Sequence, residues 1–90
     1  MQIEFDHTKR EKTLAERHLD FARAGEVFAG LHFTGQDVRQ DYEEDRFITV
    51  GPLDARLVVL VWTPRGEVRR ITRMRKANDR EKTFYTRHLD

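Results

Sequence analysis

The feature that most constrains the fold is the run from Arg56 to Glu81, in which an apolar segment, a turn and an arginine-rich segment follow one another. Leu57 to Thr63 is apolar on both faces that a β-strand would present, so we expect a central strand with both faces covered. Pro64, Arg65 and Gly66 predict the turn, and Val68 to Met74 the return strand. The chain must therefore combine a small buried sheet with a cationic strand.

The N-terminal part predicts one strand and two helices. Gln2 to Phe5 alternates polar and apolar residues, which is typical of a short strand. Thr8 and Glu11 have capping-box spacing and predict a first helix that runs to Asp20. Asp20 is the expected N-cap of a second helix, which turns Phe21 and Phe28 inward before Gly30 ends it.

The remaining segments complete the predicted sheet. The polar, acidic stretch 31–45 is expected to be a loop with at most a short edge strand at 31–34, and Arg46 to Gly51 is predicted to be a strand. Asn78 and Glu81 have capping-box spacing and open a final helix, which carries Phe84, Tyr85, His88 and Leu89 on one side. We therefore predict one α+β domain over residues 1–90, with a three-stranded antiparallel meander, a short N-terminal strand, two N-terminal helices and a C-terminal helix.

Charge divides the chain at residue 55. Residues 1–55 carry 7 Lys/Arg against 12 Asp/Glu, whereas residues 56–90 carry 10 against 4, so the near-neutral total hides a basic lobe. Such a lobe is the usual footprint of a polyanion site or of an acidic protein partner, and a solvated arginine-rich face is the alternative. The longest apolar run, Leu57 to Trp62, is too short to span a bilayer, and a cytoplasmic protein is the expectation.

Neither metal nor cofactor chemistry is indicated. The chain has no cysteine, which rules out thiolate zinc sites and disulfides. The four histidines, His7, His18, His32 and His88, lack zinc-binding spacing, and no glycine-rich nucleotide loop is present. We expect His18 and His88 to be half-buried on helix faces, and His32 remains the best histidine candidate for a general base.

The arginines of the return strand are the main binding candidates. Strict alternation places Arg69, Ile71, Arg73 and Arg75 on one face and Val68, Arg70, Thr72 and Met74 on the other. Because one face must cover the core, the charged end formed by Arg73, Arg75 and Lys76 is expected to reach a rim beside the last helix.

A set of spaced motifs resembles the BrnT family, the toxin half of the BrnT/BrnA type II toxin-antitoxin systems. The motifs are F-D-x-x-K (Phe5 to Lys9), L-D-F-x-x-A-x-E-V-F (Leu19 to Phe28), E-x-R-F-x-x-x-G (Glu44 to Gly51), R-L-V-V-x-V-x-T-x-R-G (Arg56 to Gly66) and R-K-A-N-x-R-E-x-x-x-Y (Arg75 to Tyr85). The resemblance implies a RelE-like fold and a ribonuclease that arrests translation. It also implies a tight complex with a small BrnA-like antitoxin, whose ribbon-helix-helix part binds operator DNA, so that the toxin reaches DNA only through its partner.

The chain departs from the family pattern at a few positions. Thr13 stands where many members have asparagine, and Glu16, Arg17 and His18 stand where they have Lys-His-Gly. Arg73 occupies a position where serine is common. A histidine that contributes to activity would thus be replaced by Arg17.

Roles follow from the resemblance and from the chemistry of RNA cleavage without metal, which needs a base, a cationic site for the phosphate and an acid. We assign Arg46, Arg75 and Lys76 to the phosphate and Glu44 to the base. By analogy with RelE-like nucleases, Tyr85 is the acid or a base-stacking group. Further RNA contacts are assigned to Arg69, Arg73 and Arg80. Alternatively, Glu44 pairs with Arg46 across a strand face, and Tyr85 belongs to the core.

Three functions stay open on these grounds. The first is a ribonuclease toxin that its antitoxin neutralises. The second is a module of the same fold that has lost catalysis and acts with its partner in operon repression. The third is an unrelated small nucleic-acid-binding domain that contacts phosphates through the basic strand.

Overall fold

The computed structural model describes residues 1–89 and, at Leu89, the backbone only; Asp90, the last residue of the expected domain, lies outside the described residues. Five strands form one sheet in the order β1-β5-β4-β3-β2. The strands are β1 (Gln2–Phe5), β2 (Phe33–Gln36), β3 (Phe47–Leu53), β4 (Arg56–Arg65) and β5 (Val68–Lys76). The helices are α1 (His7–Arg17), a 3-10 turn (Phe21–Arg23) that leads into α2 (Ala24–Ala29), and α3 (Asp79–Leu89).

The predicted central strand is confirmed, whereas the predicted sheet is too small and of the wrong type. β4 pairs antiparallel with β3 and β5, as the meander requires. β1, however, runs parallel to β5, and β2 adds a fifth strand beside β3. The sheet is therefore mixed. The edge strand expected at 31–34 begins two residues later and extends to Gln36, because Phe33 and Gly35 alternate with exposed residues along β3.

The two faces of the sheet are covered differently. The face that we call the core face packs against the 3-10 turn and α2, and its buried side chains include Phe21, Val27, Phe28, Leu60, Trp62, Ile71 and Met74. The opposite face has a smaller cluster of Val50, Val59 and Ala77, against which Tyr85 of α3 packs. On the core face α2 approaches β3 closely, since a Cβ at Gly51 would lie 2.9 Å from Cγ1 of Val27. The expectation that Phe21 and Phe28 point inward is confirmed.

The helix starts confirm two of the three predicted caps. Asp20 accepts a hydrogen bond from the Ala22 amide at 2.9 Å. Asn78 and Glu81 exchange the two bonds of a capping box, at 2.8 and 2.9 Å. The Thr8 capping box is wrong, because Asp6 accepts from the Lys9 amide at 3.0 Å and starts α1 two residues earlier.

α1 ends at Arg17 rather than near Asp20. His18 takes the left-handed conformation that terminates a helix, with φ 58°. The expectation that His18 and His88 are half-buried is wrong, since both are exposed. None of the helices within residues 1–89 has the length and apolar character needed to cross a membrane.

A β-bulge in β5 overturns the predicted division of its side chains. Trp62 pairs with Ile71 but Val61 pairs with Arg73, so Thr72 is an extra residue on the β5 side. The extra residue reverses the alternation beyond it. Ile71 and Met74 therefore both lie in the core, and Arg73 and Arg75 point to the opposite face from Arg69.

Candidate nucleic-acid interface

The part of the opposite face that α3 leaves uncovered forms a cleft, which we call the basic cleft. Its volume is about 590 Å³, and it is lined by Lys9, Tyr42, Glu43, Glu44, Arg46, Thr63, Arg65, Thr72 and Arg73. A neighbouring cavity of about 450 Å³ continues it toward α3 and shares Arg46 and Arg73 with it. Four cations face two carboxylates in the basic cleft, so its net charge favours an anion.

Arg73 reaches the cleft because of the bulge. If Thr72 were a regularly paired strand residue, alternation from the buried Ile71 would turn Arg73 toward the core face. The Thr72 hydroxyl donates to the Val61 carbonyl at 3.2 Å and so bridges the two strands where the ladder is interrupted. The Arg73 side chain is exposed on the cleft floor.

Arg46 lies at the other side of the cleft, at the end of the 37–45 segment. Its guanidinium stacks over the Tyr42 ring at 4.8 Å from the centroid. Its Nε is 3.7 Å from Asp37 Oδ2, and within residues 1–89 this buried nitrogen has no hydrogen-bond partner. The Asp37 side chain is only 1% exposed. Sequence reasoning missed Asp37, because nothing in an acidic loop signals which carboxylate folds inward.

Glu44 lies in the cleft and pairs with Arg65, whereas the sequence had suggested Arg46 as its alternative partner. Its Oε1 is 3.4 Å from Nη2 of Arg65. β3 begins only at Phe47, so Glu44 and Arg46 do not share a strand face. The structure thus brings Glu44, Arg46 and Arg73 to one cleft.

Arg75 lines the neighbouring cavity and is held by α3. Its Nη1 and Nη2 donate to the two carboxylate oxygens of Glu81 at 2.8 and 2.7 Å. Glu81 also accepts from the Asn78 amide, and the Arg75 guanidinium is the main reason that the pKa of Glu81 is lowered. The Arg75 donors that we expected to bind a phosphate thus face a carboxylate.

The other predicted site residues are not brought to the cleft. Tyr85 of α3 is half-buried against the opposite face of the sheet, and its hydroxyl donates to the Leu31 carbonyl at 2.6 Å. Arg69 stacks on Phe28 and Trp62, 4.5 Å from each ring centroid, on the core face. Lys76 lines a separate groove at the end of α1, and Arg80 is exposed in the first turn of α3.

The described residues offer no alternative chemical centre. Among residues 1–89 no group of three or more His, Asp or Glu side chains is arranged to hold a metal ion. His32 is half-buried beside Phe28, and its Nδ1 is 2.9 Å from the Gly30 carbonyl oxygen. The histidine candidate for a general base therefore lies away from the basic cleft.

The family departures cluster on α1. Arg17 donates to the Met74 carbonyl at 3.1 Å and so bonds α1 to the free edge of β5. Thr13 and Arg17 line a groove beside the basic cleft that shares Lys9, Thr72 and Arg73 with it. His18, at the position of the family glycine, adopts the left-handed backbone that glycine favours.

Comparison with known proteins identifies the chain through its family. A search of curated proteins found no match. The family model described as ribonuclease toxin, BrnT, of type II toxin-antitoxin system matches residues 5–81, which include every side chain of the basic cleft. The chain therefore belongs to the BrnT family of ribonuclease toxins of type II toxin-antitoxin systems.

Proposed function

We propose that this chain is an endoribonuclease that cleaves RNA in the basic cleft without a metal ion, arrests translation and is neutralised by a cognate antitoxin. The observation that carries the proposal is the meeting of Arg46, Arg73 and the Glu44 carboxylate in one open cleft. Cations that can bind a phosphate and a carboxylate that can accept a proton are the groups that this reaction requires.

The proposed reaction is an in-line attack of a ribose 2′-oxygen on the adjacent phosphorus. Glu44 takes the 2′-hydroxyl proton as the O2′–P bond forms and the P–O5′ bond breaks. Arg46 and Arg73 hold the non-bridging oxygens, where negative charge accumulates in the transition state, because guanidinium presents several donors and stays protonated. The products are a 2′,3′-cyclic phosphate and a free 5′-hydroxyl.

The leaving 5′-oxygen needs a proton. Tyr85 can supply it only if α3 shifts and the bond to Leu31 breaks. Lys9 already lines the cleft, so we assign the proton to Lys9 and treat Tyr85 as the alternative. Arg75 joins the phosphate site if a phosphate displaces Glu81. Lys76, Arg69 and Arg80 are left with at most peripheral RNA contacts.

The partner follows from the family and the charge of the cleft. A type II system pairs the toxin with a protein antitoxin, and a cleft with excess positive charge suits an acidic segment. We propose a BrnA-like antitoxin with a ribbon-helix-helix DNA-binding part, so that operator DNA is bound only through the complex.

A catalytically inactive binding module is the second candidate. Arg17 stands at the position of the family histidine, beside Lys9 and Arg73, and its guanidinium donates to Met74. A guanidinium that stays protonated cannot replace a histidine in proton transfer. If that histidine is essential, this chain binds RNA and does not cut it.

The test is cleavage of a single-stranded RNA by the purified chain in excess EDTA. We expect cyclic-phosphate products and a loss of about a hundredfold in rate for Arg46→Ala, with no change for Arg56→Ala, an arginine outside the cleft. RNA binding without cleavage would favour the second candidate, and cleavage that EDTA abolishes would refute the metal-free mechanism. Growth arrest on expression, relieved by the neighbouring small gene, tests the toxin-antitoxin part.

A further inference from the structure

The least expected feature near the basic cleft is a buried carboxylate, Asp37, which lines the neighbouring cavity. Asp37 accepts hydrogen bonds from the Arg39 amide at 3.2 Å, from Arg39 Nε and Nη2 at 2.9 Å each, and from the Tyr42 hydroxyl at 3.1 Å. Its side chain is 1% exposed although the segment is otherwise polar and exposed. A buried carboxylate is retained only where several donors satisfy it.

The same carboxylate faces Arg46. The distance from Arg46 Nε to Asp37 Oδ2 is 3.7 Å, which is an ion pair rather than a hydrogen bond. The Asp37 amide also donates to the Arg46 carbonyl at 2.7 Å, so the two ends of the segment are joined. Asp37 therefore restrains both the backbone of Arg46 and the Nε of its guanidinium.

Tyr42 completes the arrangement. Its hydroxyl is tied to Asp37, and its ring lies under the Arg46 guanidinium at 4.8 Å. The Tyr42 ring and the Asp37 carboxylate thus both restrain the Arg46 guanidinium. A guanidinium held by stacking and by charge at Nε keeps its terminal N–H groups for a ligand.

We propose that Asp37 is a positioning residue that, with Tyr42, presents the Arg46 guanidinium to a phosphate in the basic cleft. The inference deepens the proposed function and rests on it for the identity of the ligand. Asp37 touches no RNA itself. Hydrogen bonding from Arg39 keeps the pKa of Asp37 well below its usual value, so the carboxylate stays charged at neutral pH.

The test separates binding from cleavage. A single-stranded DNA of the substrate sequence keeps the phosphates but lacks the 2′-hydroxyl, so it binds without reacting. By fluorescence anisotropy we expect Asp37→Asn and Arg46→Ala each to weaken its binding about five- to tenfold. Because Asp37 acts through Arg46, the double variant should bind like Arg46→Ala alone.

The matched control is Asp54→Asn, which removes a carboxylate that also pairs with an arginine, Arg23, but lies at the distant β3–β4 turn. It should leave binding unchanged. If Asp37→Asn does not fold, Tyr42→Phe removes only the hydroxyl bond and should weaken binding two- to threefold, again without further effect in the Arg46→Ala background.

Additive losses, wild-type affinity in Asp37→Asn or no binding by the wild-type chain would each overturn the inference. The proposed function fails separately, when the wild-type chain binds this DNA but cleaves no RNA. Loss of stability in Asp37→Asn without loss of affinity per folded molecule would reduce Asp37 to a structural residue and likewise overturn the proposal.

Discussion

The core face and the opposite face of the sheet are built from the same strands, but the first carries the main hydrophobic core and the second carries the basic cleft. On the core face the 3-10 turn and α2 cover Leu60, Trp62 and Met74, and Arg69 stacks on the Trp62 ring. On the opposite face α3 covers only the end near Val50 and Val59, and arginines occupy the rest. The contrast teaches that the candidate site forms on the part of the sheet that α3 leaves uncovered.

The largest expected effect comes from adding one residue to β5, which reverses the faces of the side chains beyond it. Insertion of one alanine between Arg73 and Met74 would move Met74 to the opposite face and turn Arg75 into the core. Burying an unpaired guanidinium costs at least several kcal/mol, which is comparable with the total stability of a small domain. We expect an unfolded chain by circular dichroism.

Thr72→Ala is the control, because it keeps the residue count of β5 and loses only the hydrogen bond to Val61. It should fold and lose about 1 kcal/mol in the free energy of unfolding. A folded, active insertion variant would show that the residue count of β5 does not decide the faces.

Arg69 and Arg73 lie on the same strand and on opposite faces, which gives the sharpest test of the comparison. Arg73→Ala should lower RNA cleavage about a hundredfold and leave thermal stability unchanged. Arg69→Ala should remove the stacking on Phe28 and Trp62 and cost about 0.5 to 1 kcal/mol of stability, with cleavage nearly unchanged. Equal loss of cleavage in both variants would contradict the division of roles.

The ion pair between Arg75 of β5 and Glu81 of α3 should make the free energy of unfolding depend on pH. The Glu81 pKa is lowered from 4.5, chiefly because Arg75 donates to the carboxylate. The resulting stabilisation is fully present above the unfolded value and is lost as pH falls through the lower folded value. Since both side chains are partly exposed, we expect about 1 kcal/mol or less.

Urea titrations between pH 7 and pH 3 measure this contribution. Glu81→Gln should be less stable than the wild type at pH 7 and should approach it near pH 3. Arg75→Ala should lose the same amount at pH 7, and any loss of cleavage in Arg75→Ala that Glu81→Gln does not share would assign Arg75 to the phosphate site. A constant difference between Glu81→Gln and the wild type at every pH would exclude the ion pair as the cause.

The smallest effect concerns the end of α1, beside the cleft. His18 has φ 58°, a conformation that costs a side-chain-bearing residue about 1 kcal/mol relative to glycine. His18→Gly should therefore raise the free energy of unfolding by about 0.5 to 1 kcal/mol without changing cleavage. Ala15→Gly, in the exposed interior of the same helix, is the control and should lower it by a similar amount. A destabilised His18→Gly variant would mean that the imidazole has a contact that outweighs the backbone strain.

Much of the fold followed from local patterns. The apolar run of β4 required a central strand, and Asp20, Asn78 and Glu81 marked helix starts, because a capping side chain binds amides only two or three residues away. The parallel pairing of β1 with β5 did not follow, since partners about 66 residues apart leave no local signal. A RelE-like relationship stays a prediction.

The candidate site divides in the same way. Arg46, Arg73 and Glu44 were chosen for their chemistry, and the structure brings them together. Arg69 was chosen on the same grounds and lies across the sheet, because a bulge inserts one residue where alternation assumed none. Asp37 was not chosen at all, because the hydrogen bonds that it accepts from Arg39 and Tyr42 are visible only in the structure.

Residue types and short spacings thus fixed the charge of the C-terminal lobe, the central strand, two of the three helix caps and the family to which the chain belongs. Three-dimensional packing decided which arginines share a cleft, that Arg75 is bound by Glu81 and that Tyr85 is tied to Leu31. The physical reason is the sequence separation over which each interaction acts. Backbone propensity and capping act within a few residues, whereas the face of a side chain beyond a bulge and the burial of a carboxylate depend on contacts between distant segments.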